Sequence, residues 1–252
     1  MIHLKRFIPD SDIRNWVGPF QDKDDYFNLG KSQAEEIINW LNIKPVDKIL
    51  DLGCGCGRIA IHFLDYLNEE GKYIGIDNNK ELLSYCSENI SAVKENFYFQ
   101  FLDVYNGAYA KEGKLKVQEI KLPIERSSID SVILWSVFTH MYIDDINSYL
   151  KESNRVLKEN GTIIVALNII NDFSKKQMEE GKAVLKMKYS VDDYSCTLDR
   201  DTPESGFGHS EDKIKELFWN NNFIIREIKY GSWCCGQIGG EFHDCIIAQK
   251  SL

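Results

Sequence analysis

The chain has 252 residues, 43% of them hydrophobic, and a formal net charge of −9 at pH 7. That length and apolar share suffice for one large domain with a sizeable core. The acidic balance argues against a general nucleic-acid or membrane-surface binder, which would carry a basic patch, and no apolar run approaches the roughly 18 residues of a spanning helix.

Met1 to Arg6 leads into charged residues and Trp16 rather than an apolar signal core, so a cytoplasmic chain is expected. The seven cysteines, Cys54, Cys56, Cys86, Cys196, Cys234, Cys235 and Cys245, show no Cys-x-x-Cys spacing; reduced thiols are expected and a zinc ribbon is not.

Residues 1–31 mix polar and aromatic side chains and read as an arm or lid with little regular structure, followed by a single domain over 32–252. Ser32-Gln33-Ala34-Glu35 has the form of a capping box, and Ile37, Ile38, Trp40 and Leu41 share one face of a helix expected over 32–42. Ile49 and Leu50 end a buried strand. Asp51 follows, then Gly53, Gly55 and Gly57 at alternate positions, then the periodic run Ile59, Ala60, Phe63, Leu64, Leu67. This is strand, tight turn, helix, an arrangement that brings backbone N–H groups close to a ligand. It differs from the dinucleotide fingerprint Gly-x-Gly-x-x-Gly, because Gly57 comes one position early and Arg58 stands where the fingerprint has glycine. Asp51 would repel a pyrophosphate and would suit a ligand bearing an ammonium group and a positive centre.

Lys72 to Asp77 reads as a second strand ending in an acid that can accept both hydroxyls of a ribose, or that competes with Asn78 and Asn79 to cap the next helix. Leu82, Leu83, Cys86 and Ile90 have helical spacing. Phe97 to Phe101 is a third strand ahead of Asp103, and residues 104–122 a polar loop insertion. Ile129 to Trp135 is a fourth strand, running into Ser136-Val137-Phe138-Thr139-His140-Met141. Asp144 or Asp145 caps a helix that Gly161 stops, and Thr162 to Leu167 is a fifth strand. Residues 168–208 have poor periodicity, include charged helix-like residues from Lys175 to Leu185, and read as a lid over an acceptor site. Ser210 opens a helix to about Asn221. Phe223 to Tyr230 and Asp244 to Gln249 form an antiparallel hairpin joined by Gly231 to Gly240.

Strands alternating with helices imply an α/β protein with a parallel sheet, whose ligands bind beyond the carboxyl ends of the strands. Asp51, Asp77, Asp103 and His140 each follow such an end, so four segments aim polar groups at one rim.

On Asp51-x-Gly53-x-Gly55-x-Gly57, and over about residues 30–250, the chain resembles the class I S-adenosylmethionine (SAM)-dependent methyltransferases. Gly55-Cys56-Gly57-Arg58, Ser136 to Met141, Arg155-Val156-Leu157-Lys158 and Gly231-Ser232-Trp233 resemble a bacterial subgroup that often accompanies surface-glycan and secondary-metabolite genes. Asn160-Gly161 departs from the paired glycines of many relatives, and His243-Asp244 from their Gln-Asp. The resemblance implies a Rossmann-like three-layer sandwich with a seven-stranded, mostly parallel sheet and a C-terminal antiparallel hairpin. It implies SAM as cofactor: Asp51, Gly53 and Gly55 at the methionine end, Asp77 at the ribose, Asp103 with the Val104 backbone at the adenine, and Trp135 or Ser136 completing the methionine pocket. Trp16 and Tyr26 are candidates for closing over it. The implied acceptor is a small molecule or a saccharide such as a surface-polysaccharide precursor; methylation at oxygen is favoured over methylation at nitrogen.

A hydroxyl acceptor must lose a proton, and His140 is the candidate base, unless it caps the next helix or packs beneath the site; His209 and His243 are second choices. No metal is expected, because the fourth strand ends in Trp135-Ser136 without an acid. The competing readings are a nicotinamide-dependent, NAD(P)-type oxidoreductase and a SAM-binding protein without activity.

Overall fold

The computed structural model describes residues 3–18, 20, 22–235 and 240–251. Part of the expected hairpin joint, residues 236–239, and the first two residues of the arm lie outside these. Strand β1 (Lys48–Leu52) is buried over its last four positions, an apolar run broken only by Asp51. Such a run suits a strand covered on both faces. It pairs in parallel with β2 (Lys72–Asp77) on one side and with β4 (Ile129–Leu134) on the other, and β3 (Phe97–Phe101) pairs in parallel with β2. The chain therefore reverses its direction of sheet growth at β1, which makes the carboxyl end of β1 a switch point.

β5 (Leu157–Leu167) pairs antiparallel with β11 (Asp244–Lys250), which pairs antiparallel with β10 (Phe223–Lys229). The seven strands form one sheet in the order β10-β11-β5-β4-β1-β2-β3, the mostly parallel α/β arrangement with a closing antiparallel hairpin that the sequence implied. A second sheet holds β6 (Ile169–Ile170), β7 (Tyr189–Ser190), β8 (Ser195–Thr197) and β9 (Phe207–Ser210), in the order β6-β9-β8-β7. Two compact units divide the chain: Met1–Asp103 with Ile129–Ile133, and Val104–Ser128 with Leu134–Leu252.

In the first unit the arm is more ordered than its composition suggests. It contains turns of 3-10 helix at Leu4–Phe7 and Asn15–Val17 and the short helix α1 (Ser11–Arg14). The buried Arg14 guanidinium ties it together by donating to the carbonyls of Pro9 and Phe20, both at 2.9 Å. The helix expected over 32–42 begins earlier: α2 spans Lys23–Leu41, so the boundary drawn at residue 31 falls inside it. The Asp22 carboxylate caps it, accepting from the N–H groups of Asp24 (2.6 Å) and Asp25 (3.1 Å), and leaves Ser32 and Glu35 in the interior. Gly30 sits inside α2 because a Cβ there would come within 2.6 Å of the Arg58 carbonyl oxygen. After the glycine turn only α3 (Ala60–Phe63) is helical; beyond it the N–H groups of Tyr66 and Leu67 both turn onto the Phe63 carbonyl. α4 (Lys80–Cys86) follows β2.

In the second unit α5 (Ile143–Val156) starts after Tyr142, not after either aspartate. Asp144 and Asp145 lie in its first turn, where the helix dipole favours them, and Asp145 accepts from Gln118 Nε2 at 2.5 Å. Gly161 does not stop this helix. The chain passes from Val156 straight into β5, and the left-handed residue is Asn160 (φ 60). Residues 168–208, expected to be a lid of poor periodicity with helix-like residues from Lys175 to Leu185, contain α6 (Asp172–Glu179), which begins and ends earlier than that stretch, and most of the second sheet. Strands this short are too brief to show a two-residue period. α7 (Glu211–Asn220) precedes β10 as expected. At the start of β11 the buried Asp244 carboxylate accepts from the backbone N–H of Ile169 (2.6 Å) and Gly231 (2.7 Å) and from Trp233 Nε1 (2.6 Å). Among the described residues, no helix is long and apolar enough to cross a membrane.

Candidate active site

The turn after β1 is held by its own amides. Gly53 and Cys54 donate to the Ile76 carbonyl (2.7 and 3.2 Å), Gly55 donates to the Asp77 carboxylate (2.8 Å), and Gly57 donates to the Cys54 carbonyl (3.0 Å). These N–H groups are spent on the fold, so the turn is not the array of free donors a pyrophosphate requires, which counts against a nicotinamide dinucleotide. Gly55 is left-handed (φ 54), and a Cβ on it would lie 2.5 Å from Val17 Cγ1. The arm thus reaches the turn through Val17.

Asp51 is 2% exposed, and its Oδ2 accepts the Tyr73 phenolic O–H at 2.5 Å. Burial raises its pKa to about 7, with Asp77 adding to the shift while the Tyr73 hydrogen bond and Arg58 oppose it. The Tyr73 ring lies flat on Phe97, centroids 5.2 Å apart. Asp77 accepts from Gly55 and, at 2.9 Å, from the Asn79 N–H. Burial raises its pKa also, against those bonds. Asp77 is not the cap of α4: that is Asn79, which accepts from Glu81 and Leu82. Asp103 is half-buried just beyond β3.

Of the arm aromatics, Trp16 is 45% exposed, whereas Tyr26 is fully buried and meets Cys56 Sγ of the turn at 3.2 Å. Tyr26 therefore braces the turn from behind, edge-on to Phe20. Cys54, Cys56 and Cys86 are buried free thiols around the same turn, all pushed up by burial, Cys56 to about 11.

In the second unit Val104 is buried and bridges to Leu115, Trp135 is buried, and Ser136 holds a left-handed backbone (φ 59). A non-glycine residue in that region costs energy and is found at functional sites. His140 is half-buried in the 3-10 turn Phe138–His140 and does not cap α5, whose N-cap is Tyr142. Its Nδ1 lies 2.7 Å from the Glu204 carbonyl oxygen, which can only accept, so Nδ1 carries the proton. Burial lowers its pKa, so the ring is neutral at pH 7 and Nε2 presents a lone pair. His209 is fully buried, donates Nε2–H toward the Phe138 carbonyl (3.4 Å) and accepts from Ser195 Oγ (3.0 Å); it has no access to an acceptor. His243 Nδ1 is bonded to Asn168 Oδ1 at 2.8 Å. Among the described residues no group of three His, Cys, Asp or Glu side chains is placed to hold a metal ion.

Residues 43–221 match the family described as "Methyltransferase domain". The chain belongs to that family. Ribosomal RNA small subunit methyltransferase H of Dictyoglomus turgidum is 26% identical to this methyltransferase-domain chain over 149 residues, 57% of this chain and 47% of the relative. Demethylmenaquinone methyltransferase of Bacillus cereus is 25% identical over 138 residues, 55% and 52% of the two chains. The chain thus spans about half the length of the curated relatives it matches. The crystal structure of magnesium protoporphyrin IX methyltransferase from Synechocystis, with bound SAH, superposes with a TM-score of 0.59 at 14% identity, covering 98% of this chain and 92% of that one; it shares the fold.

The methyltransferase domain's first unit fits the charge of a SAM-like ligand. A buried carboxyl poised near neutrality with a second carboxylate nearby is stabilised by an ammonium and a sulfonium, and Asp77 keeps lone pairs for a ribose. Sequence reasoning missed Tyr73, Tyr109 and Glu204. Tyr73 was visible only as a strand residue, Tyr109 as part of a loop, and Glu204 acts through its backbone carbonyl, which no residue type reveals.

Proposed function

We propose that this chain transfers a methyl group from SAM to a hydroxyl oxygen of a small-molecule or saccharide acceptor, with His140 as general base. The observation that carries this reading is the neutral tautomer of His140, pinned at Nδ1 by Glu204 and basic at Nε2. A hydroxyl needs such a base as its oxygen is alkylated, whereas a neutral amine attacks with its own lone pair.

When bound, SAM supplies a methyl group made electrophilic by its positive sulfur. Asp51, ionised by the cation, would hold the ammonium end and Asp77 would accept from the ribose, while Gly53 and Gly55 keep Cβ atoms out of the turn. The positive charge left by the acceptor's lost proton ends on His140, and the Glu204 carbonyl holds the resulting imidazolium. The relatives named for ribosomal RNA and for demethylmenaquinone leave the acceptor type open. The net charge of −9 favours a small acceptor over RNA, and the glycan-precursor assignment rests on the sequence resemblance.

Methyl transfer from labelled SAM to a panel of phenols, monosaccharides and sugar nucleotides tests the reading. His140→Ala should keep SAM affinity and lower turnover about a hundredfold. Unchanged turnover would remove His140 from the chemistry. SAM binding with no transfer to any of the panel would favour a binding protein.

A further inference from the structure

The lone pair of His140 is already covered. Tyr109 places its phenolic oxygen 3.3 Å from His140 Nε2, with the rings edge-to-face at 71° and 4.8 Å between centroids. Because Nε2 is the acceptor nitrogen, the phenol donates. Tyr109 is 41% exposed, while the imidazole behind it is half-buried, so an arriving molecule meets the phenol first.

The pair is held from several directions. Asn106 Oδ1 accepts from the N–H groups of Ala108 and Tyr109, both at 3.0 Å, while Asn106 Nδ2 donates to the His140 carbonyl at 3.0 Å. One amide therefore spans the backbones of both partners. On the other side Thr197 Oγ1 anchors the turn that carries Glu204, donating to the Pro203 carbonyl (2.8 Å), and the Glu204 carboxylate accepts from Gly107 N–H (3.3 Å). A surface tyrosine whose only task was packing would not need its loop bolted to the histidine it covers.

We propose that Tyr109 is a catalytic residue, the group that meets the acceptor hydroxyl, and that His140 works through it, with Asn106 positioning the two. This rests on the O-methylation reading above. As the acceptor oxygen forms its bond to the methyl carbon, the sulfur–methyl bond breaks and the sulfur keeps that electron pair. The acceptor's proton passes to Tyr109 Oη while the phenol's own proton passes to His140 Nε2. The histidine ends as an imidazolium donating to Glu204 O from Nδ1 and to Tyr109 from Nε2, and the phenol is regenerated. Burial raises the phenol's pKa, so it holds its proton at neutral pH.

Nitrogen-15 NMR of the histidine rings in the full chain needs no acceptor. It should show His140 protonated at Nδ1 and hydrogen-bonded at a bare Nε2. Tyr109→Phe should move the Nε2 resonance, leave Nδ1 in place, keep SAM affinity and lower turnover on the acceptor panel at least about tenfold. A proton on Nε2, an unmoved Nε2 signal, or a Tyr109→Phe enzyme as fast as the parent would overturn the relay. A parent protein that binds SAM but methylates none of the panel would instead overturn the reading beneath it, with the ring signals unchanged.

Discussion

Tyr73 donates its phenolic hydrogen to Asp51 at 2.5 Å, joining a residue early in β2 to one late in β1. The register explains it. Ile49 pairs with Tyr73 and Asp51 with Gly75, so Ile49 and Asp51 point to one face and Tyr73 reaches Asp51 on the diagonal above a glycine that leaves the space open. The bond offsets part of the cost of burying a carboxylate beside Asp77.

If, as proposed, the SAM cation binds the ionised form of Asp51, whose carboxyl is pushed up to about 7 by burial, SAM affinity should fall as pH drops below that value, by up to about tenfold per unit, and level off above it. Asp51→Asn should weaken binding and flatten the profile. Tyr73→Phe removes a donor that favours the carboxylate, so the midpoint should move upward. Calorimetric titrations with SAM between about pH 6 and 8 would read both shifts; a profile unchanged in Tyr73→Phe would show that the phenol does not tune Asp51.

Gly55→Ala should damage the turn twice over. A left-handed residue with a Cβ costs about 1–2 kcal/mol, and here that Cβ meets Val17 at 2.5 Å. A fall in melting temperature of about 2–8 °C is expected from the strain alone, together with weaker SAM binding as the turn shifts.

Asp244→Ala should be among the most destabilising single changes. It leaves the Ile169 and Gly231 amides and the Trp233 indole N–H without their acceptor in a buried place. At about 1–3 kcal/mol for each orphaned donor, a loss of at least about 3 kcal/mol is expected, measured by denaturant unfolding. A near-neutral result would show that the loop repacks freely.

His209 should set part of the acid limb of stability. Burial lowers its folded pKa to about 4 from the ordinary 6.5, so the unfolded chain binds the extra proton first. Its contribution is complete above pH 6.5 and is lost as pH falls from there toward 4, up to about 3 kcal/mol. Asp51 has the opposite sign: its raised folded pKa gives stability that is lost as pH rises toward 7. The difference between the parent and His209→Gln, followed by urea unfolding across that range, isolates the histidine. Parallel curves would exclude it.

Much of the fold was legible because its signals are local. The strands at Lys72–Asp77 and Phe97–Phe101 carry apolar β-forming residues that end in an acid or just short of one, and alternate glycines after a buried strand have few uses other than a tight turn. The helix preceding β1 was misjudged because two capping patterns compete for its start; packing against the glycine turn, through Gly30, selects the longer helix capped by Asp22. The second sheet was illegible because its strands have only two to four residues, too short for a two-residue period to show in the sequence.

By itself the sequence determined the family, the α/β architecture, the position of the glycine turn and the acids near strand ends, since each depends on short-range pattern and backbone freedom; that Asp51 lies inside β1 rather than after it was decided by pairing with β2. Only tertiary structure decided which nitrogen of His140 is basic, that Tyr109 stands over it, and that Tyr73 steadies Asp51. Those relations depend on register and on backbone carbonyls brought in from distant segments, and no residue type encodes them.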